Sequence, residues 1–524
     1  MFAYSAQAIR HMDAECIRTG LYTGIELMTR AGNAAAAEII HFAERTHFTP
    51  VFHIFTGSGN NGGDGFVIAA RLAEQYGCDA VTLHAAVPEE KLKGDAAEAY
   101  KNMPEDLKKR IVRALPDFKT EENAIIIDCL LGTGTDLSNG LREPVKSLIG
   151  AINQSPCPVI AIDIPSGMCA DRGIGPDGAV CAVETLTFAA PKNGFFADGS
   201  AKYCGKIRVL DIGIPEKIMT LESGGYGIFD LTAARKLFRK NDYDTYKQKR
   251  GSLLILGGSM DYPSAPFLAA EGALRTGAGM VTVAVPEQTQ ICCSVPKALI
   301  VRRLQADPER GCFCEKSIPA AVALAEKADA IVIGPGMMCN DQTAAFLQGF
   351  LKQIKTKPVL LDADALNALA KIQNSIRDLP NAILTPHIGE MNRLLAAEKD
   401  IEKLSPMGKA EALSHRFETV CVMKGPYSTS CFPIDRPVVN LSGSPALATA
   451  GSGDVLSGIT GALMANQYPL ADAAKLGVYL HGLCGEIAPE MLGNLSPDLR
   501  YPCGVIADDL INAIPRALRM IMGA

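Results

Sequence analysis

The chain has 524 residues, 48% hydrophobic and 21% charged. That leaves room for two large domains or three ordinary ones and excludes large-scale disorder. Basic minus acidic residues gives 51 − 57 = −6, which excludes a general nucleic-acid surface, because neutralising phosphates needs clustered positive charge. The one basic cluster, Lys247, Lys249 and Arg250, reads as a solvated linker edge. Glycine is the elevated count, 49 of 524, about 9% against an average of about 7%.

The 16 cysteines include no CxxC pair. A cysteine zinc site and a disulfide framework are both unexpected, and the cysteines read as small buried hydrophobes of a reducing compartment. The N-terminus lacks a basic segment followed by an apolar core, and no apolar run is long enough to span a bilayer. A cytoplasmic protein without a membrane partner is expected.

Residues 5–45 read as helical, with an interruption near Arg30–Asn33. Short apolar strands are expected at 51–55, 80–84, 124–128 and 159–163. Between them lie helical patterns at 66–76, 89–113 and 142–152. Strands alternating with helices predict parallel βαβ units covered on both faces. The pattern loosens over 216–244, read as a linker after a first domain of residues 1–215. A second series follows in 245–524, with strands at 252–258, 280–285, 330–333, 358–362, 382–384 and 419–423. The expected fold is two tandem three-layer α/β domains.

In the first half, Gly57-Ser58-Gly59-Asn60-Asn61-Gly62-Gly63-Asp64-Gly65 joins a strand to a helix. Its GxGxxG spacing lets backbone approach a pyrophosphate at a helix N-terminus. The dehydrogenase fingerprint also wants an acidic residue ending the second strand, and His84 stands there instead. Two further strand ends carry Asp128, before Leu131-Gly132-Thr133-Gly134-Thr135, and Asp163, before Ile164-Pro165-Ser166-Gly167. Three strand ends of this kind share one crevice in a parallel sheet and offer a hard cation only oxygen ligands, whereas any single aspartate would read as a helix or turn cap. The motifs GSGNNGGDG, DCLLGTG and AIDIPSG resemble the NAD(P)HX epimerase domain of the NAD(P)H-hydrate repair family, which has a Rossmann-like fold. The resemblance implies that Asn60, Asn61, Gly62, Gly63 and Asp64, the segment Gly132, Thr133, Gly134, Thr135, Asp136, Leu137 and Ser138, and Asp163 hold the hydrated nucleotide. It also implies a potassium ion at Asn61, Asp128 and Ser166. Asp163 is the candidate acid/base for epimerisation at ring carbon C6. Lys192 reads either as a phosphate ligand or as an exposed loop lysine.

In the second half, Ala450-Gly451-Ser452-Gly453-Asp454 opens an apolar helix. Its backbone N–H groups can form an anion hole with Asp454 beside it as general base, or the segment is a plain glycine turn. Its surroundings favour the first reading: GPG (334–336), DADALN (362–367), TPHIGE (385–390) and Lys424-Gly425-Pro426-Tyr427-Ser428 all follow strands. No GxxxxGK[ST] is present, which excludes a P-loop NTPase. With GGS (257–259) and YPSAP (262–266), these motifs resemble the ADP-dependent NAD(P)HX dehydratase, a ribokinase-like fold. The resemblance implies that Ala265, Gly336, His387 and Asp454 contact the hydrated nucleotide. Lys424, Gly425, Pro426, Tyr427, Ser428 and Gly453 would hold ADP, used with Mg²⁺. One departure is Pro263-Ser264 before Ala265, where the family usually has glycine.

The expected activity is epimerisation of R- and S-NAD(P)HX, followed by dehydration of the S form with conversion of ADP to AMP and phosphate. The expected partners are small nucleotides, and a homo-oligomer is expected. Two alternatives are a small-metabolite kinase fused to a Rossmann-like domain and a first domain that acts as a binding scaffold.

Overall fold

The computed structural model describes residues 1–45, 50–112, 124–135, 137, 140–291, 293–376, 378–398, 400–493 and 504–523. Asp136 and Ser138, expected to contact substrate, lie outside the described residues. The chain forms two compact units that divide at Gly227–Ile228.

The first unit is built on a sheet of β1 (Val51–Thr56), β2 (Val81–Ala85), β3 (Ile111–Val112), β4 (Ala124–Cys129), β5 (Val159–Ile162), β6 (Glu184–Phe188) and β7 (Lys206–Leu210). Its order is β3-β2-β1-β4-β5-β6-β7, and every pairing is parallel. Alternate residues enter different cores. Phe52, Ile54, Ile125 and Ile127 face one, while Phe55, Ala124 and Ile126 face the other. A sheet apolar on both faces must be covered twice, which makes three layers.

Helices α1 (Ala6–Arg18), α2 (Gly24–Glu44) and α3 (Asn60–Tyr76) follow local signals. Thr23 and Glu26 form a reciprocal capping box that starts α2. The helical break therefore falls at 19–23, not at 30–33. Gly32 lies inside α2 because a Cβ there would sit 2.5 Å from the Val67 side chain of α3. The asparagine–glycine segment is likewise helix rather than loop from Asn60 onward. Its glycines serve close approach: a Cβ on Gly62 would lie 2.1 Å from the Gly57 carbonyl.

The second sheet contains β8 (Gly227–Phe229), β9 (Ser252–Leu256), β10 (Met280–Pro286), β11 (Ile300–Leu304), β12 (Ala330–Ile333), β13 (Val359–Leu361), β14 (Ala382–Leu384), β15 (Val420–Met423), β16 (Thr429–Cys431) and β17 (Val438–Asn440). Its order is β8-β17-β16-β15-β14-β13-β12-β9-β10-β11. Strands β15 to β11 in that order are parallel, and β16 pairs antiparallel with both β15 and β17 at one side. Leu253 and Ile255 face one core, and Leu254 and Leu256 the other.

The stretch 216–244 is not a bare linker. It holds a helical turn at Glu216–Met219, strand β8 and helix Leu231–Leu237, whose first turn is capped by Asp230 accepting from the Ala233 N–H at 2.8 Å. Beyond it, Lys249 pairs with Asp242 and Asp244, in keeping with a solvated basic edge. No described helix is long and apolar enough to cross a membrane.

Two further helices, α4 (Ala265–Thr276) and α5 (Ser452–Ala465), cross at glycine. A Cβ on Gly458 would lie 1.9 Å from the Ala269 carbonyl, whereas the nearest atoms to a Cβ on Gly453 lie 3.7 and 3.8 Å away. Gly458→Ala should therefore lower unfolding stability by about 1–3 kcal/mol through overpacking. Gly453→Ala should leave it unchanged or raise it by up to about 1 kcal/mol through helix propensity. Thermal melts of the two variants check this, and equal effects would contradict the packing account.

Candidate active sites

In the first unit the site forms where strand order reverses, with β2 and β3 on one side of β1 and β4 to β7 on the other. Asp128 is the penultimate residue of β4 and is fully buried. Its carboxylate accepts from Ser166 Oγ at 2.6 Å, Ser166 N–H at 2.8 Å and Leu130 N–H at 3.2 Å. Burial still outweighs these bonds and pushes its carboxyl up to about 6. Asn61 Nδ2 donates to the Leu131 carbonyl at 2.8 Å, and Ser166 Oγ accepts from Leu131 N–H at the same distance. Asn61 Oδ1 is buried without a hydrogen-bond partner. The three residues expected around a cation thus meet on one turn, 130–131, and one of their oxygens is unclaimed.

Asp163 follows β5 with a left-handed backbone, φ 63°. That conformation is costly for a non-glycine residue and is held by its N–H donating to the Leu186 carbonyl at 2.7 Å. The Asp163 carboxylate pairs with Lys192 Nζ. Lys192 is wholly buried and also donates to Thr187 Oγ1 at 2.5 Å. It is therefore neither an exposed loop lysine nor a free phosphate ligand. Two more carboxyls share this field. Asp64, on α3, is raised well above the carboxylate range by burial, then by the charges of Asp163 and Asp13, with Lys192 opposing. Asp13, on α1, is raised to about 6 by burial and by Asp163. Sequence reading missed Asp13, because a lone aspartate in an amphipathic helix carries no motif.

In the second unit, the centre is Asp362 at the end of β13, 1% exposed. Its Oδ1 accepts from Lys424 Nζ at 2.6 Å and its Oδ2 from Ser457 Oγ at 2.7 Å. Burial alone would raise it, but the Lys424 charge and the hydrogen bonds from Lys424, Ser457 and Thr385 hold its carboxyl below the ordinary range. Lys424 Nζ also faces Glu390 at 3.8 Å. Asp362 thus ties the KGPYS strand end to helix α5, a role its place in DADALN did not announce. Asp454, in the first turn of α5, is pushed up to about 7 by burial, then by Asp362, with Lys424 opposing. Gly453 beside it opens towards the Lys424 ammonium.

The remaining predicted residues fall around this centre. His387 caps helix Ile388–Leu394, with Nδ1 accepting from the Gly389 N–H at 2.9 Å, and its side chain stays 52% exposed. Gly336 is left-handed (φ 63°), and a Cβ there would lie 3.0 Å from the Ala265 Cβ, which brings these two positions together. Ser264, at the departure from the family pattern, directly precedes α4. Gly425 N–H donates to Ser428 Oγ at 3.3 Å, closing Lys424–Ser428 into a tight turn. Behind the loop, buried His481 meets Ser452 Oγ at 3.1 Å, and burial holds its ring down to about 4.

Comparison with known proteins places this geometry. A family model described as YjeF-related protein N-terminus matches residues 24–194, and one described as NAD(P)H-hydrate dehydratase matches 253–500. The bifunctional NAD(P)H-hydrate repair enzyme Nnr of Coxiella burnetii is 34% identical over 97% of both chains. The chain belongs to the bifunctional NAD(P)H-hydrate repair enzyme family. The Nnr enzymes of Salinibacter ruber and Moorella thermoacetica are 33% and 31% identical, over 98% and 99% of this chain and 95% and 97% of their own. A solved Bacillus subtilis structure, described as ADP/ATP-dependent NAD(P)H-hydrate dehydratase co-crystallised with ATP/Mg²⁺, aligns with 56% of this chain and 99% of its own, at 26% identity and TM-score 0.44. As a repair enzyme of this family, the chain is both an NAD(P)H-hydrate epimerase and an NAD(P)H-hydrate dehydratase.

Removing one partner of a buried ion pair strands the other charge. Lys192→Met should cost about 3 kcal/mol of stability, and Lys192→Met/Asp163→Asn should recover part of that loss. A denaturant-unfolding double-mutant cycle measures the coupling. Additive losses would contradict a coupled pair.

Proposed function

We propose that the epimerase chemistry centres on Asp163. Its carboxylate takes the proton of the C6 hydroxyl as the C6–N1 bond opens to an aldehyde, the electron pair passing to N1 and its conjugated carboxamide. N1 then re-closes on the other face of the carbonyl and the proton returns to the oxygen, which interconverts the R and S forms. Lys192 is its positioning residue, holding the carboxylate in place through their buried pair. The pairing of wholly buried Lys192 with Asp163 is the observation that carries this reading. Asn60–Asp64 and Gly132–Ser138 bind the nucleotide, with α3 presenting its N-terminal N–H groups to phosphate.

A potassium ion fits Asn61, Asp128 and Ser166, since all three supply oxygen and Asn61 Oδ1 is buried without a partner. When bound it would supply fixed positive charge beside the phosphates.

In the second unit, Asp454 is the general base. Deprotonated, it takes the proton of the ring hydroxyl of the S form as that oxygen attacks the terminal phosphorus of ADP. The bond from that phosphorus to the bridging oxygen breaks, and AMP leaves. Phosphate then leaves C6 as C5 gives up a proton, which restores the ring double bond. Ala265, Gly336 and His387 orient the hydrated nucleotide. Lys424–Ser428 and the Gly453 N–H hold ADP, with Lys424 kept in place by Asp362. Mg²⁺ suits this site because it binds mainly through phosphates plus one or two carboxylates, and it would offset charge on the transferred phosphoryl group.

A base must be ionised to act, and burial lifts Asp454 to about 7. Because kcat/KM reports the free enzyme, dehydratase kcat/KM should fall as pH drops through about 7, approaching tenfold per pH unit below 6. Asp454→Asn should lower it about 10²- to 10⁴-fold at pH 8. An acid limb near 4, or net accumulation of a phosphorylated metabolite as in a kinase, would overturn the assignment.

A further inference from the structure

An open cavity of about 270 Å³ lies at the carboxyl ends of β2 and β3. His84, Ala86, Pro88 and Val112 line it from the strand side, and Glu143 and Ser147 from the start of helix Val145–Gln154. None of these residues belongs to the Asp163 cluster or to the glycine segment.

The cavity is nevertheless next to both. The Ala86 N–H donates to the Thr56 carbonyl at 2.9 Å, and Thr56 faces Ala85 in the β1–β2 register. Gly57, which opens the glycine segment, follows Thr56 directly. One strand spacing, about 4.8 Å, therefore separates the cavity wall from the start of the glycine segment. Asp163 lies on the other side of β1, after β5. A ligand anchored at Asp163 that runs across Gly57–Gly62 arrives at this cavity.

The substrate has the matching shape: two nucleosides joined by a pyrophosphate. Cavities that enclose a whole small ligand run about 300–1,000 Å³, so this one is sized for a single nucleoside. A dinucleotide site also wants a carboxylate for the ribose hydroxyls at the end of the second strand, where this chain has His84. Glu143 brings a carboxylate to the same space from the facing helix. Its Oε2 accepts from Ser147 Oγ at 2.6 Å and from Ser147 N–H at 3.3 Å, which fixes its aim.

We propose that this cavity binds the adenosine half of the hydrated dinucleotide and that Glu143 accepts hydrogen bonds from its ribose. The proposal rests on the reading that Asp163 handles the nicotinamide end. Among the described residues no lysine or arginine lines the cavity. Burial, then His53, holds the His84 ring down to about 4, so it is neutral at physiological pH. A carboxylate accepts from a 2′-hydroxyl and repels a 2′-phosphate, so Glu143 sets a preference for the 2′-hydroxyl.

The test uses the full-length protein, one isolated epimer and no ADP, so that only epimerisation is read. Three substrates are compared: hydrated NADH, hydrated NADPH and hydrated reduced nicotinamide mononucleotide, which lacks adenosine. Ser147 is exposed, so Ser147→Trp fills the cavity from outside the core, and melting temperature checks its folding. It should raise KM for hydrated NADH about tenfold or more with kcat unchanged, and leave the mononucleotide unaffected. Glu143→Gln should narrow the preference for hydrated NADH over hydrated NADPH by about tenfold. The proposal is overturned if Ser147→Trp leaves hydrated NADH unaffected, if it slows the mononucleotide equally, or if Glu143→Gln leaves the preference unchanged. A wild-type enzyme inert towards all three would overturn the Asp163 reading itself. Activity that is insensitive to both variants overturns the cavity alone.

Discussion

Each unit depends on one lysine–aspartate pair withdrawn from water at the carboxyl end of a parallel sheet. In the first it is Lys192 with Asp163, in the second Lys424 with Asp362. Strand ends are where a ligand can reach the sheet, and also where the apolar layers still exclude solvent. A lone carboxylate there would neutralise itself by taking up a proton. In each unit the lysine pairs with one aspartate, and burial, then that aspartate's charge, raises the neighbouring carboxyls. Asp64 and Asp13 respond in the first unit, and Asp454 in the second.

That arrangement separates roles among chemically identical groups. Two carboxyls whose protonation is pushed apart offer a donor and an acceptor at one pH. Asp362 is held charged and inert by Lys424, Ser457 and Thr385, while Asp454 is free to exchange a proton. Glycine makes the geometry possible. Gly62, Gly336 and Gly458 each stand where a Cβ would meet backbone or a neighbouring side chain within about 3 Å, so the layers can close tightly behind the charges.

Much of this was legible in the residues. The apolar strands β1, β4, β5, β9 and β12 announce themselves, and the motifs at Asn60, Asp128, Asp163 and Asp454 mark the strand ends. What stayed hidden depended on partners distant in sequence. Strand β6 reads Glu-Thr-Leu-Thr-Phe and β7 Lys-Ile-Arg-Val-Leu, too polar to stand out until Arg208 pairs with Glu184 across them. Lys192 read as either a phosphate ligand or an exposed loop lysine because its partner lies 29 residues away. Asp13 joins its cluster only through the packing of α1. The glycine segment looked like a loop because helix propensity counts glycine against a helix, whereas here close packing decides.

The central claim is that two separate carboxylates, Asp163 and Asp454, run two separable reactions in one chain. The most direct measurement is one time course on mixed NADHX epimers with ADP, following both epimers, NADH and phosphate by chromatography. Asp163→Ala should convert the S form to NADH and phosphate and leave the R form stranded, apart from slow spontaneous epimerisation. Asp454→Asn should keep the two epimers in exchange and form no NADH. Full consumption of the R form by Asp163→Ala at the wild-type rate, or NADH formation by Asp454→Asn at that rate, would contradict the account.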